Sequence, residues 1–394
     1  MSTHQSNILL IDDNPADVEL TSIMLAGSKA ANFHLESRER LATGLERASQ
    51  GGIDALLLDL GLPDSQGLNT FQRVHEAVPS LPVVVMSSLD DEQVAMRAVE
   101  IGAQDYLIKG RLDPRSLSHA ILFAVERQKR NAATGPNPGK VLLFVGAKGG
   151  VGTTTVALNV ASCIALNRKS VIAVELRSNC GTFAPYLHQA PLSNATELLD
   201  MEVERLHKLD VRPHLVEFPW GLKVLFGPQS MEECHPIERE RAEILLNRLI
   251  TLADYIVLDL PDATSIASQV AARHANCGVL VLNNDPIGVA CGKRVLDELS
   301  ASGISRPLLK VVAVNRSAAL DGVKLDEIAS GLNVNVIGMV TPAVELCRKA
   351  EEAGVPFVLA RPNHLASEMM SEIAGKLLAQ DGIKTSTLPL SAAV

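Results

Sequence analysis

The sequence predicts an α/β protein built as two doubly wound domains, and three observations carry that prediction. Short aliphatic runs alternate with amphipathic stretches along nearly the whole chain, the pattern of parallel strands and their crossover helices. Hydrophobic residues make up 47% of the 394 residues and aromatics only 3%, which suits sheets whose buried strands are near-continuous Val, Ile and Leu. The alternation is interrupted once, by the Pro/Gly/Asn segment Asn131–Gly139, and then restarts. Two domains of roughly 130 and 250 residues account for the length.

In the first half, strands are expected at Ile8–Ile11, Ala55–Leu58, Leu81–Met86 and Tyr106–Ile108, with a weaker one near Phe33–Leu35. The last helix of this half, Pro114–Arg130, has Asp113 placed to cap it and a proline in its first turn. These five β-then-α units form residues 1–130, with 131–139 as linker. The second domain, 140–380, has expected strands at Val141–Val145, Val171–Val174, Val224–Phe226, Ile256–Leu258, Val279–Leu282, Leu309–Val314 and Val336–Val340. The stretch Asn179–Pro228 is the least regular, and residues 381–394 read as a flexible tail.

Bulk properties exclude several functions. The net charge is −9, with 12 basic against 18 acidic residues up to Arg130 and 24 against 27 beyond it. Neither half has the basic excess of a protein whose main partner is nucleic acid. Six scattered cysteines with no CxxC pair read as small core residues in a reducing compartment. The ten histidines lack metal-ligand spacing, and Met369-Met370 reads as packing. A signal peptide or membrane span is not expected, so the protein is expected to be cytoplasmic. The helix near Leu365–Ala379 carries Glu368, Glu372 and a lone Lys376, the wrong charge for a membrane-surface helix.

In open α/β sheets function collects at the carboxyl ends of strands. Strand one ends in Asp12-Asp13, strand three in Asp59, strand four in Ser87-Ser88, and strand five leads into Lys109. Three carboxylates converging on one edge repel one another and call for a hard cation such as Mg²⁺. A magnesium-bound carboxylate is a nucleophile toward a phosphoryl donor, and a hydroxyl and an ammonium group hold the phosphoryl oxygens. The motifs ILLIDDNPAD, LLLDLGLPDSQGL, VVVMSSLDD and GAQDYLIKG resemble those of the response-regulator receiver family, a flavodoxin-like (βα)5 fold. The resemblance covers residues 7–130. It implies that Asp12 and Asp13 hold the metal with Asp59, that Asp59 accepts phosphate, and that Ser87, Tyr106 and Lys109 are the switch hydroxyl, switch aromatic and phosphate-facing cation. It also implies a histidine kinase or phosphotransfer protein as partner. Gly110 departs from the proline usual in that family.

The strand Val141–Val145 runs into GAKGGVGTTT and then a helix. A Gly-rich turn opening a helix aims backbone N–H groups at an anion, with the helix dipole in support. The match to GxxxxGK[ST] is partial, because Ala147 and Thr153 stand where the pattern wants glycine and lysine. The run instead resembles the deviant P-loop of MinD/ParA-type nucleotide-binding proteins, a likeness extending over 140–380. It implies an ATP and Mg²⁺ site formed by Lys148, Gly149, Gly150, Val151, Gly152, Thr153, Thr154 and Thr155. Lys148 would reach a partner's phosphates across an ATP-dependent homodimer, and Thr154 would ligate the metal. Asp259 matches the Walker B carboxylate, and Asn315 and Arg316 the adenine-recognition position. Two departures bear on turnover: Thr153 replaces the ordinary lysine, and Glu175-Leu176-Arg177 replaces Asp-x-Asp. Losing one such positioning or electrostatic contact costs roughly 10²-fold in rate, so ATP binding with weak or absent hydrolysis is expected.

The two likenesses together resemble the CpaE/TadZ family of pilus assembly proteins. That resemblance implies a localisation or scaffold factor for a tight-adherence (Flp, type IVc) pilus machine, which recruits a secretion ATPase of the pilus secretion machinery proteins by contact and is itself held at the cell pole or inner face of the envelope through partners. The alternatives are a ParA-type partitioning ATPase, which needs brisk hydrolysis and a basic face, and a two-component response regulator with no pilus role.

Overall fold

The computed structural model describes residues 5–28, 31–87, 94, 97–99, 101–134, 138–316 and 322–379. The chain divides into two compact units, Met1–Ala133 and Thr134–Val394.

In the first unit five parallel strands, β1 (Gln5–Ile11), β2 (Asn32–Arg38), β3 (Ala55–Asp59), β6 (Val83–Ser87) and β7 (Asp105–Ile108), lie in the order β2-β1-β3-β6-β7. A small hairpin, β4 (Gly61–Leu62) with β5 (Ser65–Gln66), follows β3. Side chains alternate between the two faces. Leu9, Ile11, Leu56 and Leu58 face one apolar layer, while Ile8, Leu10, Leu57 and Val84 face the other beside Leu117, Ile121 and Ala124. The helix Pro15–Ala26 opens on Asn14, whose side chain accepts from Ala16 N–H, with proline in its first turn. The helix expected between β6 and β7 lies largely outside the described residues, as do Ser88 and the tail 381–394.

The final helix of this unit runs over Pro114–Thr134, so four residues expected in the linker are helical. Ala132 and Ala133 are strong helix formers, and Gly135 and Pro136 are the first residues that oppose continuation.

The second unit has an eight-stranded sheet: β8 (Lys140–Gly146), β9 (Val171–Glu175), β10 (Val216–Glu217), β11 (Leu222–Leu225), β12 (Tyr255–Asp259), β13 (Cys277–Asn283), β14 (Leu309–Val314) and β15 (Asn335–Val340). Their order is β10-β11-β9-β12-β8-β13-β14-β15, and only the short edge strand β10 runs antiparallel to its neighbour. Val141, Leu143 and Val145 enter one core layer and Leu142 and Phe144 the other. The helix Thr153–Leu166 is buried for most of its length. Asn159 within it is satisfied: its amide donates to Thr155 O at 2.8 Å, and its oxygen accepts from Val358 N at 3.0 Å. On the helix Leu365–Ala379, Met370 is buried and Met369 half-buried, and Lys376 donates to Ile337 O at 2.7 Å.

The expectation that the cysteines are core residues holds for Cys163 and Cys277, which are buried. It does not hold for Cys180 and Cys234. These sit on half-buried loops with their sulfurs 3.4 Å apart, a pairing between segments 54 residues distant that spacing cannot reveal.

Candidate functional site: a carboxylate cluster and a glycine-rich loop

Strand register builds the first site. Ile11 pairs with Leu58, so the residues that follow on these strands, Asp12 and Asp59, emerge side by side. Asp59 pairs with Met86, which puts Ser87 one step beyond, and Ser87 pairs with Ile108, which puts Lys109 beyond that. Asp12, Asp13 and Asp59 bring carboxylate oxygens within 4.8 Å of one another. Asp12 is fully buried, Asp59 half-buried and Asp13 exposed. Lys109 Nζ donates to Asp59 Oδ2 at 2.6 Å, Asp12 Oδ2 at 2.7 Å and Asp17 Oδ2 at 2.9 Å.

Burial pulls the Lys109 pKa down, but hydrogen bonds to the three carboxylates prevail and hold it well above the usual lysine value. Burial likewise raises the Asp12 carboxyl, against the opposing bond from Lys109. Three convergent oxygen donors, one open to solvent, fit a hard divalent cation. Bound there, such a cation would neutralise the carboxylates and the oxygens of an incoming phosphoryl group. Ser87, the last residue of β6, and Tyr106, the second residue of β7, are both buried.

Asp17 was not anticipated. It lies one helical turn after Asp13 and is held by Asn14 Nδ2 at 3.0 Å. The signal was present in the sequence, since Asn14-Pro15 starts a helix and Asp17 falls in its first turn.

The second site is the turn from β8 into the helix Thr153–Leu166. Gly150 and Gly152 have φ of 74° and 97°, the left-handed region in which a side chain is strained. The turn thereby coils its backbone ahead of the helix N-terminus, an anion-binding arrangement. Val151 is buried beneath it, while Gly149 and Gly150 are exposed and Thr153, Thr154 and Thr155 half-buried. Lys148 Nζ lies 3.7 Å from Asp285 Oδ2, and Arg316 donates to Gly150 O at 2.7 Å. Asn315 donates its backbone N–H to Val340 O at 2.9 Å, which fixes the end of β14 beside β15.

Behind the loop, Asp259 on β12 pairs in register with Phe144 on β8 and with Glu175 on β9. Its Oδ2 accepts from the Thr154 hydroxyl at 2.8 Å and also from the Arg177 guanidinium. Arg177 Nε is 3.9 Å from Glu175 Oε1. Glu175 is fully buried and faces backbone: Oε1 accepts from Thr182 N at 2.5 Å and Phe183 N at 3.1 Å, and Oε2 from Gly227 N at 3.1 Å. Arg177 stands where the Asp-x-Asp pattern has its second acidic residue. In the fold the position is filled by a cation bound to Asp259.

The loop's backbone N–H groups fit a nucleotide's phosphates, and among the described residues no group of three His, Cys or carboxylate ligands gathers here. Asp259 and Glu175 are already charge-paired, and the two atoms left without hydrogen-bond partners are Asp259 Oδ1 and Arg177 Nε. An orphan acceptor beside an orphan donor suits a neutral polar molecule such as water.

Burial pushes the Asp259 carboxyl up to about 6, against the attraction of Arg177. Because it is harder to ionise folded than unfolded, its stabilising contribution is full below its ordinary value of 3.8 and is lost as pH rises through about 6. Asp259→Asn has no such proton to lose. The stability of the native chain relative to this variant should therefore fall between about pH 4 and 6 and level off above. Denaturant unfolding of both chains across that range checks this, and parallel profiles would refute it.

Comparison with known proteins bears on both units. Residues 8–122 match the response regulator receiver domain family, and residues 140–289 match the family described as ATPase MipZ. The KDP operon transcriptional regulatory protein KdpE of Escherichia coli (strain K12) is 31% identical over 137 residues, covering 34% of this chain and 56% of that protein. An uncharacterized ATP-binding protein of Methanocaldococcus jannaschii is 24% identical over 244 residues, 60% of this chain and 87% of that protein. The chain thus spans about half the length of the KdpE relative. The septum site-determining protein MinD complexed with Mg-ADP, from Pyrococcus horikoshii OT3, superposes with a TM-score of 0.55 at 15% identity, over 63% of this chain and all of that one. The ParA family ATPase from Chlorobium tepidum TLS gives 0.53 at 18% identity, over 61% and 98%. Likeness at these identities establishes the fold of the second unit. No helix among the described residues is long and apolar enough to cross a membrane.

Proposed function

We propose that this chain, a response-regulator receiver domain fused to a MinD/ParA-type ATPase domain, is a phosphorylation-responsive, ATP-binding scaffold factor of the CpaE/TadZ kind. It accepts phosphate on Asp59 from a histidine kinase or phosphotransfer protein and dimerises around ATP. It turns ATP over weakly or not at all. Its output is recruitment of tight-adherence pilus secretion proteins at the envelope or pole.

The single observation that supports this reading is the contrast between the two sites. The first keeps a nucleophile, converging carboxylates and a lysine clamp within hydrogen-bond reach. The second keeps its anion-binding loop but ties its strand-end carboxylate to Arg177. A site so arranged can bind and signal without being built to hydrolyse. Phosphate on Asp59 would draw on Lys109 and Ser87 and repack the buried Tyr106, altering the surface that partners read. ATP shared between two copies would stabilise the dimer by mass action.

The test is ATP binding, turnover and self-association of the purified chain, with and without an acyl-phosphate donor. Expected are ATP-promoted dimers, turnover near background and a change in self-association on phosphorylation. Lys148→Ala should weaken ATP-dependent dimerisation by roughly tenfold or more while leaving the fold intact, because the Lys148 ammonium is paired with a half-exposed residue, Asp285, at 3.7 Å. Brisk, DNA-stimulated hydrolysis would sink the scaffold reading and bring the partitioning ATPase forward.

A further inference from the structure

Arg177 occupies the heart of the nucleotide site. Its guanidinium donates to Asp259 Oδ2, the same oxygen that takes the Thr154 hydroxyl, and its Nε lies 3.9 Å from Glu175. All three charged side chains are more than nine-tenths buried: Arg177 is 8% exposed, Asp259 and Glu175 not at all. Two carboxylates at this strand edge would by themselves demand a cation, and a permanently protonated guanidinium supplies one. The ordinary lysine of the loop is meanwhile absent, since Thr153 stands in its place.

We infer that Arg177 is the resident countercharge of this site, doing for the buried carboxylates what a magnesium ion would otherwise do, so that ATP binds without a divalent metal. Three features converge on this. The Asp259 oxygen facing Thr154 is already shared with a cation. The neighbouring Glu175 has both carboxylate oxygens engaged by the backbone N–H groups of Thr182, Phe183 and Gly227. The phosphate-facing groups that remain, the backbone of Gly149–Gly152 and the amino group of Lys148, bind anions with no need of a metal. A dication placed against Thr154 would meet a fixed positive charge that cannot deprotonate and that already holds the same Asp259 oxygen.

This inference rests on the ATP-binding reading above, and the experiment separates the two. ATP affinity is measured on the full chain in magnesium and in EDTA, alongside Arg177→Asp, which restores an acidic residue at that position. The native chain should bind ATP with affinities within about threefold in the two buffers, and Arg177→Asp should lose roughly tenfold or more in EDTA. The receiver unit is identical in both chains, so a metal requirement gained only in the variant belongs to the nucleotide site. Native binding that is strong in magnesium and drops roughly tenfold or more in EDTA overturns the inference and leaves the ATP-binding reading standing. Binding in neither buffer overturns both. If Arg177→Asp does not fold, the native comparison decides alone.

Discussion

Asp59→Asn abolishes labelling of the chain by an acyl-phosphate donor, with a drop of at least ~10²-fold in the rate of phosphate incorporation. The reasoning is chemical. The aspartate oxygen attacks phosphorus, the donor's carboxylate leaves with the bonding pair, and an amide in its place is too weak a nucleophile to begin. The amide is nearly isosteric, so Lys109 keeps Asp12 and Asp17 as partners at 2.7 and 2.9 Å and the fold survives. Asp13→Asn provides the contrast: it removes an exposed member of the carboxylate cluster but leaves the nucleophile. It should slow labelling and make it depend on higher magnesium, without moving the site of attachment. Mass spectrometry of the labelled chain decides. Phosphate found elsewhere than residue 59, or undiminished in Asp59→Asn, defeats the assignment.

Arg177→Ala should lower the stability of the second unit by about 3–5 kcal/mol, because it leaves Asp259 and Glu175 buried with no cation beside them. For a domain of this size that is a fall of roughly 10 °C in the midpoint of its thermal transition. Asp259→Asn combined with Arg177→Ala should recover much of the loss, since one buried charge disappears along with its partner. The unfolding transition belonging to residues 138–379 is the one to follow, as a two-unit chain need not melt in a single step. A cost below about 1 kcal/mol for Arg177→Ala would mean that water reaches the pair and that the cluster is not the buried network its geometry indicates.

How much of this was legible beforehand depends on what kind of information each feature needs. The parallel strands of both sheets could be read because a buried parallel strand writes itself as an aliphatic run, whereas the two-residue antiparallel edge strand β10 carries no such run; Asp12, Asp59, Lys109 and Asp259 could be read because they end such runs. The glycine-rich loop announced itself through residues that only a coiled turn requires, and Gly150 and Gly152 adopt such a conformation. Pairings between distant segments were not legible. Asp17 joins Lys109 across 92 residues and Arg177 joins Asp259 across 82, and neither partner carries a local mark of the other. The helix end at Thr134 went unread for another reason: Asn131 looks like a breaker, yet two alanines after it outweigh one weak helix former. Cys180 and Cys234 belong with the long-range pairs.

The way Glu175 is held makes the site hard to alter one residue at a time. Its two oxygens are anchored to three amides from two loops, and its neighbour Arg177 is locked onto Asp259. Restoring lysine at position 153 alone would add a cation to a site that already has one, and removing Arg177 alone would strand two carboxylates. The site therefore yields to paired changes more readily than to single ones, much as a lock that needs two keys turned together.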